Sequence, residues 1–145
     1  MDDDLSFSLS LADDLRVHGY DVDTVSSATD AIEHILTKSY DVVITDMIVK
    51  SDDRSVPDGG VSLIHWLRFT LREGHPMALV PIIGISGATK FPGMKSILQV
   101  AQSLGANAAM EKPVSPSELV KTIEALTGGA KRTHASASDV PEQPG

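Results

Sequence analysis

Short apolar runs alternate with amphipathic segments along most of this chain. The runs at residues 41–46 and 80–86 have the length and apolar content of strands that are buried on both faces. The segments between the runs repeat apolar residues every three or four positions, which is the period of a helix that packs on one side. This alternation predicts an α/β fold with a doubly wound, mostly parallel sheet.

The pattern predicts five helices and four strands. The predicted helices are Leu5–His18, a helix capped by Thr29 or Asp30 that runs to Ser39, Val61–Glu73, Pro92–Leu104, and a helix capped by Ser115 that ends near Leu126. The predicted strands are Tyr20–Val25, Asp41–Asp46, Val80–Ser86 and Ala106–Glu111. A polar loop is expected from Lys50 to Gly60. We expect one domain over residues 1–126 and a disordered tail over residues 127–145, where small and polar residues dominate.

The start of the chain does not fit this alternation. Only Met1 precedes the acidic residues Asp2, Asp3 and Asp4, although a fold of this kind normally begins with a strand. Loss of a central strand would expose backbone hydrogen-bonding groups on both neighbouring strands. Three explanations are open: the natural chain starts further upstream, another segment fills the gap, or two protomers of a homodimer share strands. We favour the first and the third.

Composition excludes several classes of function. The formal net charge of −8 argues against nucleic acid as the main partner, because phosphate backbones attract clusters of Lys and Arg. The chain has no cysteine, which excludes disulfides and fits a cytoplasmic location. No apolar run is long enough to span a membrane.

Three polar side chains stand at the ends of predicted strands. Asp46 ends the second predicted strand, Ser86 ends the third, and Lys112 follows the fourth. The carboxyl ends of parallel strands meet at one edge of a sheet, so these residues are expected to converge there. A carboxylate, a hydroxyl and an ammonium are the parts of a site that accepts a phosphoryl group.

Such a site also requires a divalent cation. A carboxylate that attacks phosphorus is surrounded by other negative charge, which a metal ion neutralises. Mg²⁺ prefers oxygen ligands and uses one or two carboxylates. We expect Mg²⁺ to be held by Asp2, Asp3, Asp46 and the backbone carbonyl of Ile48, while Lys112 and Ser86 contact phosphoryl oxygens.

The sequence resembles the receiver domain of two-component response regulators over residues 2–126. The resemblance rests on five short motifs. They are the acidic pair Asp2-Asp3, the run Asp-Val-Val-Ile-Thr-Asp-Met at 41–47, the Asp58-Gly59 turn, Ile-Ser-Gly-Ala at 85–88 and Glu-Lys-Pro at 111–113. It implies a flavodoxin-like sheet in the order 2-1-3-4-5, with the first strand missing or replaced in this chain. It also implies a cis peptide bond between Lys112 and Pro113.

The same resemblance implies a function and partners. Asp46 would be phosphorylated by a sensor histidine kinase or a histidine phosphotransfer protein, and the chain would not be an enzyme beyond its own phosphorylation and dephosphorylation. A downstream protein target would then bind the surface formed by the helix at 92–104, the following strand and the last helix. Ala109 stands where many receivers carry an aromatic switch residue, and the loop from Lys50 to Asp58 is longer than usual.

Two alternatives belong to other functional classes. A degenerate receiver would bind proteins without phosphorylation, since an unanchored acidic pair would bind magnesium poorly. A phosphohydrolase with an aspartate nucleophile would need a second Asp two residues after Asp46, where this chain has Ile48. The sequence therefore favours a phosphoacceptor domain.

Overall fold

The computed structural model describes residues 1–2, 4–47, 50–51, 54–55, 59–87 and 95–128. The helices are α1 (Leu5–Val17), α2 (Ala28–Thr37), α3 (Gly60–His65), α4 (Lys95–Leu104) and α5 (Pro116–Leu126), and a π-helical turn (Trp66–Thr70) follows α3. The strands are β1 (Val43–Asp46), β2 (Lys50–Ser51), β3 (Arg54–Ser55), β4 (Ile82–Ser86) and β5 (Ala108–Glu111). The start of the expected helix at 92–104 and nearly all of the expected disordered tail lie outside the described residues.

The main sheet is parallel and contains β1, β4 and β5 in the order β1-β4-β5. Asp46 pairs with Ile85 in the register of β1 and β4, and Ser86 pairs with Glu111 in the register of β4 and β5. The three strands therefore end at nearly the same level. This topology confirms the predicted α/β class and the parallel, doubly wound arrangement.

Two apolar cores, one on each face of the sheet, explain why the strands are mainly apolar before their carboxyl ends. Successive residues of β1 alternate between the cores, with Val43 in one and Ile44 in the other. Helices α2, α3 and α4 contribute buried residues to the Val43 core, and α1 and α5 contribute them to the Ile44 core. A strand covered on both faces needs apolar residues along most of its length, as β4 shows before its last residue, Ser86.

Helix starts follow local capping chemistry. The Ser115 hydroxyl accepts a hydrogen bond from the Glu118 N–H, and Pro116 occupies the first turn of α5, as predicted. The prediction for α2 was wrong, because the cap is Ser27, whose hydroxyl accepts from the Asp30 N–H. With that start, α2 buries Ala28, Ala31 and Ile35, and Leu36 is exposed.

Two other segments differ from the prediction. Tyr20–Val25 is not a continuous strand, since only Asp21 has a bridge partner. A strand persists only where a neighbouring backbone supplies hydrogen bonds along its length. Within the expected polar loop after Asp46, β2 and β3 pair as two short antiparallel strands.

Met1 and Asp2 lie beside β1 and supply backbone partners there. The Met1 amine donates to the Ile44 carbonyl, and the Met1 carbonyl accepts from the Asp46 N–H at 2.8 Å. On the other side, the Asp2 N–H donates to the Val25 carbonyl. These bonds anchor Asp2 at the edge of β1. The explanations based on an upstream start and on shared strands stay predictions.

The helix predicted over Val61–Glu73 ends earlier and changes its geometry. The Leu71 N–H bonds to the Trp66 carbonyl, five residues before it, so the last turn is π-helical. Leu71 itself has an extended backbone and ends the helical segment.

Across the described residues, no helix is long and apolar enough to cross a membrane.

Arg68, on this π-helical turn, ties three segments together at the edge of the sheet opposite Asp46. Its guanidinium donates to the backbone carbonyls of Gly105, Ala78 and Val80 and to the side-chain oxygen of Asn107. Burial lowers the pKa of the guanidinium from its usual value. Arg68 is a structural residue, because its acceptors are mainly backbone carbonyl groups of separate segments.

We expect Arg68→Met to lower the free energy of unfolding by about 2–3 kcal/mol, because several charge-assisted hydrogen bonds are lost together. Arg72→Met is the matched control, since Arg72 is exposed and lies just after the end of this helical segment. Urea unfolding followed by circular dichroism measures both. Equal stability of the two variants would show that the Arg68 contacts contribute little.

Candidate functional site

The carboxyl ends of the three parallel strands bring the predicted site residues to one edge of the sheet. Asp46 is the last residue of β1, Ser86 is the last of β4, and Lys112 directly follows β5. Asp46 and Asp2 are each 6% exposed and Ser86 is 1% exposed. These groups lie near the surface of the fold but are largely removed from water, which strengthens the interactions between their charges.

The Lys112 ammonium lies between two carboxylates. Its Nζ is 2.9 Å from Oδ2 of Asp2 and 3.9 Å from Oδ1 of Asp46. Both carboxylates therefore face one small volume at the sheet edge. The face of the Phe7 ring covers the same ammonium, with 4.2 Å between Nζ and the ring centroid. Sequence reasoning predicted the convergence of Asp2, Asp46 and Lys112 but assigned Phe7 no role at this site.

The backbone around Asp46 is held from several directions. The Thr45 hydroxyl donates to the Asp46 carbonyl at 3.1 Å, and the Met47 N–H donates to the Ile85 carbonyl. The first residue of α3, Gly60, packs directly on this backbone, since a Cβ built there would lie 1.9 Å from the Asp46 carbonyl oxygen. The absence of a side chain at Gly60 thus lets α3 approach the end of β1.

The ends of β4 and β5 are joined by a backbone hydrogen bond from the Lys112 N–H to the Ser86 carbonyl, at 2.9 Å. This bond places Ser86 next to the start of the Lys112 side chain. Gly87 leaves room for the lysine stem, because a Cβ there would lie 3.2 Å from Lys112 Cδ. The Lys112-Pro113 peptide bond is cis, as the resemblance implied.

The Met1 amine is a further titratable group close to this site. Burial lowers its pKa to about 6, against the opposing effect of the Asp2 and Asp46 carboxylates, which favour the charged form. Asp2 is also tied to the start of α1, since its Oδ1 accepts from the Asp4 N–H. Asp4 in turn caps α1 by accepting from the Phe7 N–H.

The chemistry of the site fits a hard divalent cation. Asp2 and Asp46 provide carboxylate oxygens at one place, which is the donor type that Mg²⁺ prefers. Asp3 and Ile48, the other two predicted ligands, lie outside the described residues. Among the residues that the structure does describe, no three acidic or histidine side chains gather as a metal cluster. Two carboxylates with solvent water still suffice for Mg²⁺, which keeps much of its hydration.

Comparisons with known proteins agree with this geometry. Residues 1–124 match the family model for the response regulator receiver domain. The transcriptional regulatory protein GltR of Pseudomonas aeruginosa is 28% identical over 140 residues, which are 97% of this chain and 52% of GltR. The chain thus spans about half the length of that curated relative.

Solved structures show the same fold. A protein described as a response regulator from Chloroflexus aurantiacus J-10-fl has a TM-score of 0.72 and 26% identity, over 88% of this chain and 93% of that one. The receiver domain of NtrX from Brucella abortus has a TM-score of 0.70 and 21% identity, over 89% of this chain and 96% of that one. The chain is therefore a member of the response regulator receiver domain family of two-component systems.

Proposed function

We propose that this domain accepts a phosphoryl group on Asp46 from a histidine kinase or a histidine phosphotransfer protein, and that the added charge alters a protein-binding surface. The observation that carries the proposal is the convergence of the Asp46 carboxylate, the Asp2 carboxylate and the Lys112 ammonium at one sheet edge. Receiver domains are signalling domains rather than enzymes, and in general they bind Mg²⁺ at the phosphorylation site.

Each residue has a chemical task in this proposal. An Asp46 oxygen attacks phosphorus, and the bond from phosphorus to the donor breaks with its electron pair leaving on the donor. When the donor is a phosphohistidine, the departing imidazole nitrogen takes up a proton. Lys112 pairs with a phosphoryl oxygen, and the Ser86 hydroxyl donates to another. Bound Mg²⁺ would be held by Asp2 and Asp46 and would neutralise charge that builds up on the phosphoryl oxygens.

The responding surface is proposed to include α4, β5 and α5. A groove of about 510 Å³ runs along β5 and α5, and Ala109 and Glu118 are among the residues that line it. Since Ala109 has no ring that could change its orientation, signalling across this surface would act through backbone or helix shifts. Lys112, which joins the site to the end of β5, is the direct connection between the two regions.

Mass spectrometry after incubation with Mg²⁺ and acetyl phosphate tests the proposal. We expect the intact protein to gain the mass of one phosphoryl group, and we expect Asp46→Asn or excess EDTA to abolish that gain. The matched control is Asp41→Asn, which removes a carboxylate just before β1 and should leave the adduct unchanged. An adduct that persists on Asp46→Asn would move the phosphoacceptor to another residue.

The alternative of a degenerate receiver assumes that the acidic residues at the start of the chain are not anchored to the fold and therefore bind magnesium poorly. Asp2 is supported by its backbone bond to Val25 and by its ion pair with Lys112. These contacts favour the phosphoacceptor over a binding module that is independent of phosphorylation.

A further inference from the structure

We propose that Phe7 is a positioning residue that holds the Lys112 ammonium beside Asp46 and thereby sets the rate of phosphoryl transfer. The expected effect on the rate rests on the proposed function, whereas the contact between the Phe7 ring and the Lys112 ammonium does not depend on it. The aromatic face lies 4.2 Å from the ammonium, within the range in which a ring attracts a cation.

The contacts of Lys112 show why a third partner matters. Asp2 binds the ammonium at 2.9 Å, whereas Asp46 is at 3.9 Å, so the carboxylates alone would draw the cation toward Asp2. The ring face of Phe7 attracts the ammonium without forming a directed hydrogen bond. It therefore confines the ammonium near the site while leaving its N–H groups available for a phosphoryl oxygen.

The position of Phe7 is itself fixed by the fold. Its N–H donates to the capping carboxylate of Asp4, which sets the first turn of α1. Its side chain packs against the apolar core shared by α1 and α5 and lines a cavity of about 20 Å³ together with Asp2 and Asp46. The cap fixes the backbone of Phe7 and the core packs against its side chain, so the ring is a rigid support for a flexible lysine.

Two substitutions of Phe7 distinguish the effect of its aromatic face from the effect of its apolar packing. Phe7→Leu keeps an apolar side chain and removes the aromatic face, whereas Phe7→Trp keeps a face. Phe69→Leu is the matched control, because it makes the same chemical change at an exposed position on the π-helical turn. Denaturant unfolding of all four proteins checks that each one is folded.

The first measurement is the proton chemical shift of the Lys112 ε-methylene by NMR, without phosphodonor. A ring current shifts protons above an aromatic face upfield, so we expect an upfield signal in the wild type and in Phe7→Trp and loss of that shift in Phe7→Leu. Phe69→Leu should match the wild type. A Lys112 signal at the ordinary lysine position in the wild type would overturn the proposal.

The second measurement is the rate of phosphorylation by acetyl phosphate at saturating Mg²⁺. We expect Phe7→Leu to react about five-fold more slowly, with Phe7→Trp near the wild-type rate, which corresponds to the loss of one cation–π contact in the transition state. Transfer by Phe7→Leu at the wild-type rate would overturn the proposal. If the wild type takes no phosphoryl group, the proposed function fails, and the NMR result still decides whether Phe7 holds the ammonium.

Discussion

Lys112→Met is expected to lower the free energy of unfolding by about 3 kcal/mol in magnesium-free buffer, because removal of one partner leaves charges uncompensated. The Lys112 ammonium contacts the carboxylates of both Asp2 and Asp46, and those carboxylates are largely removed from water. Methionine keeps most of the apolar stem beside Phe7 and Gly87. The loss therefore reports on charge more than on packing.

Magnesium should reverse much of this loss. A divalent cation between Asp2 and Asp46 replaces the missing ammonium, so we expect Mg²⁺ to stabilise Lys112→Met more than it stabilises the wild type. Urea unfolding in EDTA and in Mg²⁺ measures the difference for each protein. Lys121→Met, at an exposed position of α5, is the matched control. Equal stabilities of Lys112→Met and Lys121→Met in EDTA would contradict a central role of the ammonium.

Gly60→Ala is expected to lower the free energy of unfolding by at least about 3 kcal/mol, and poor solubility on expression would agree with that loss. The new Cβ would lie 1.9 Å from the Asp46 carbonyl oxygen and 2.9 Å from Met47 Cα. Both neighbours are backbone atoms, so no side chain can rotate away. Relief requires α3 or the end of β1 to move.

Gly74→Ala is the control for the steric overlap expected in Gly60→Ala. Gly74 has a φ of +92°, and nothing lies within 4 Å of its would-be Cβ, so only backbone strain of about 1 kcal/mol is expected there. Thermal unfolding of both variants distinguishes steric overlap from conformational strain. If Gly60→Ala loses no more stability than Gly74→Ala, the close approach of α3 to Asp46 is wrong.

The candidate site was largely predictable from local sequence patterns. An apolar run that ends in Asp46 and a run before Lys112 each mark a strand end without knowledge of the rest of the chain. Since parallel strands place their carboxyl ends on one side, the convergence of these residues follows from the fold class alone. The capping residues of α5 were predictable for the same reason, because the hydrogen bonds concerned are local.

Other features depend on contacts between distant segments. The role of Phe7 requires α1 to lie beside the loop after β5, and Gly60 is informative only once α3 rests on the Asp46 backbone. Tyr20–Val25 has the pattern of a strand but lacks a neighbour along its length among the described residues. The sequence pattern of a segment indicates its tendency to form a strand, whereas a strand forms only where a neighbouring segment supplies hydrogen-bond partners.

The sequence by itself determined the α/β class, the strand ends and the identity of the charged residues, because each depends on periodicity or on neighbours in the chain. Only the tertiary structure decided that one ammonium lies between Asp2 and Asp46 under the ring of Phe7. Distances between side chains on separate elements follow from how helices pack on the sheet, and that packing is the sum of many weak contacts that no single segment encodes.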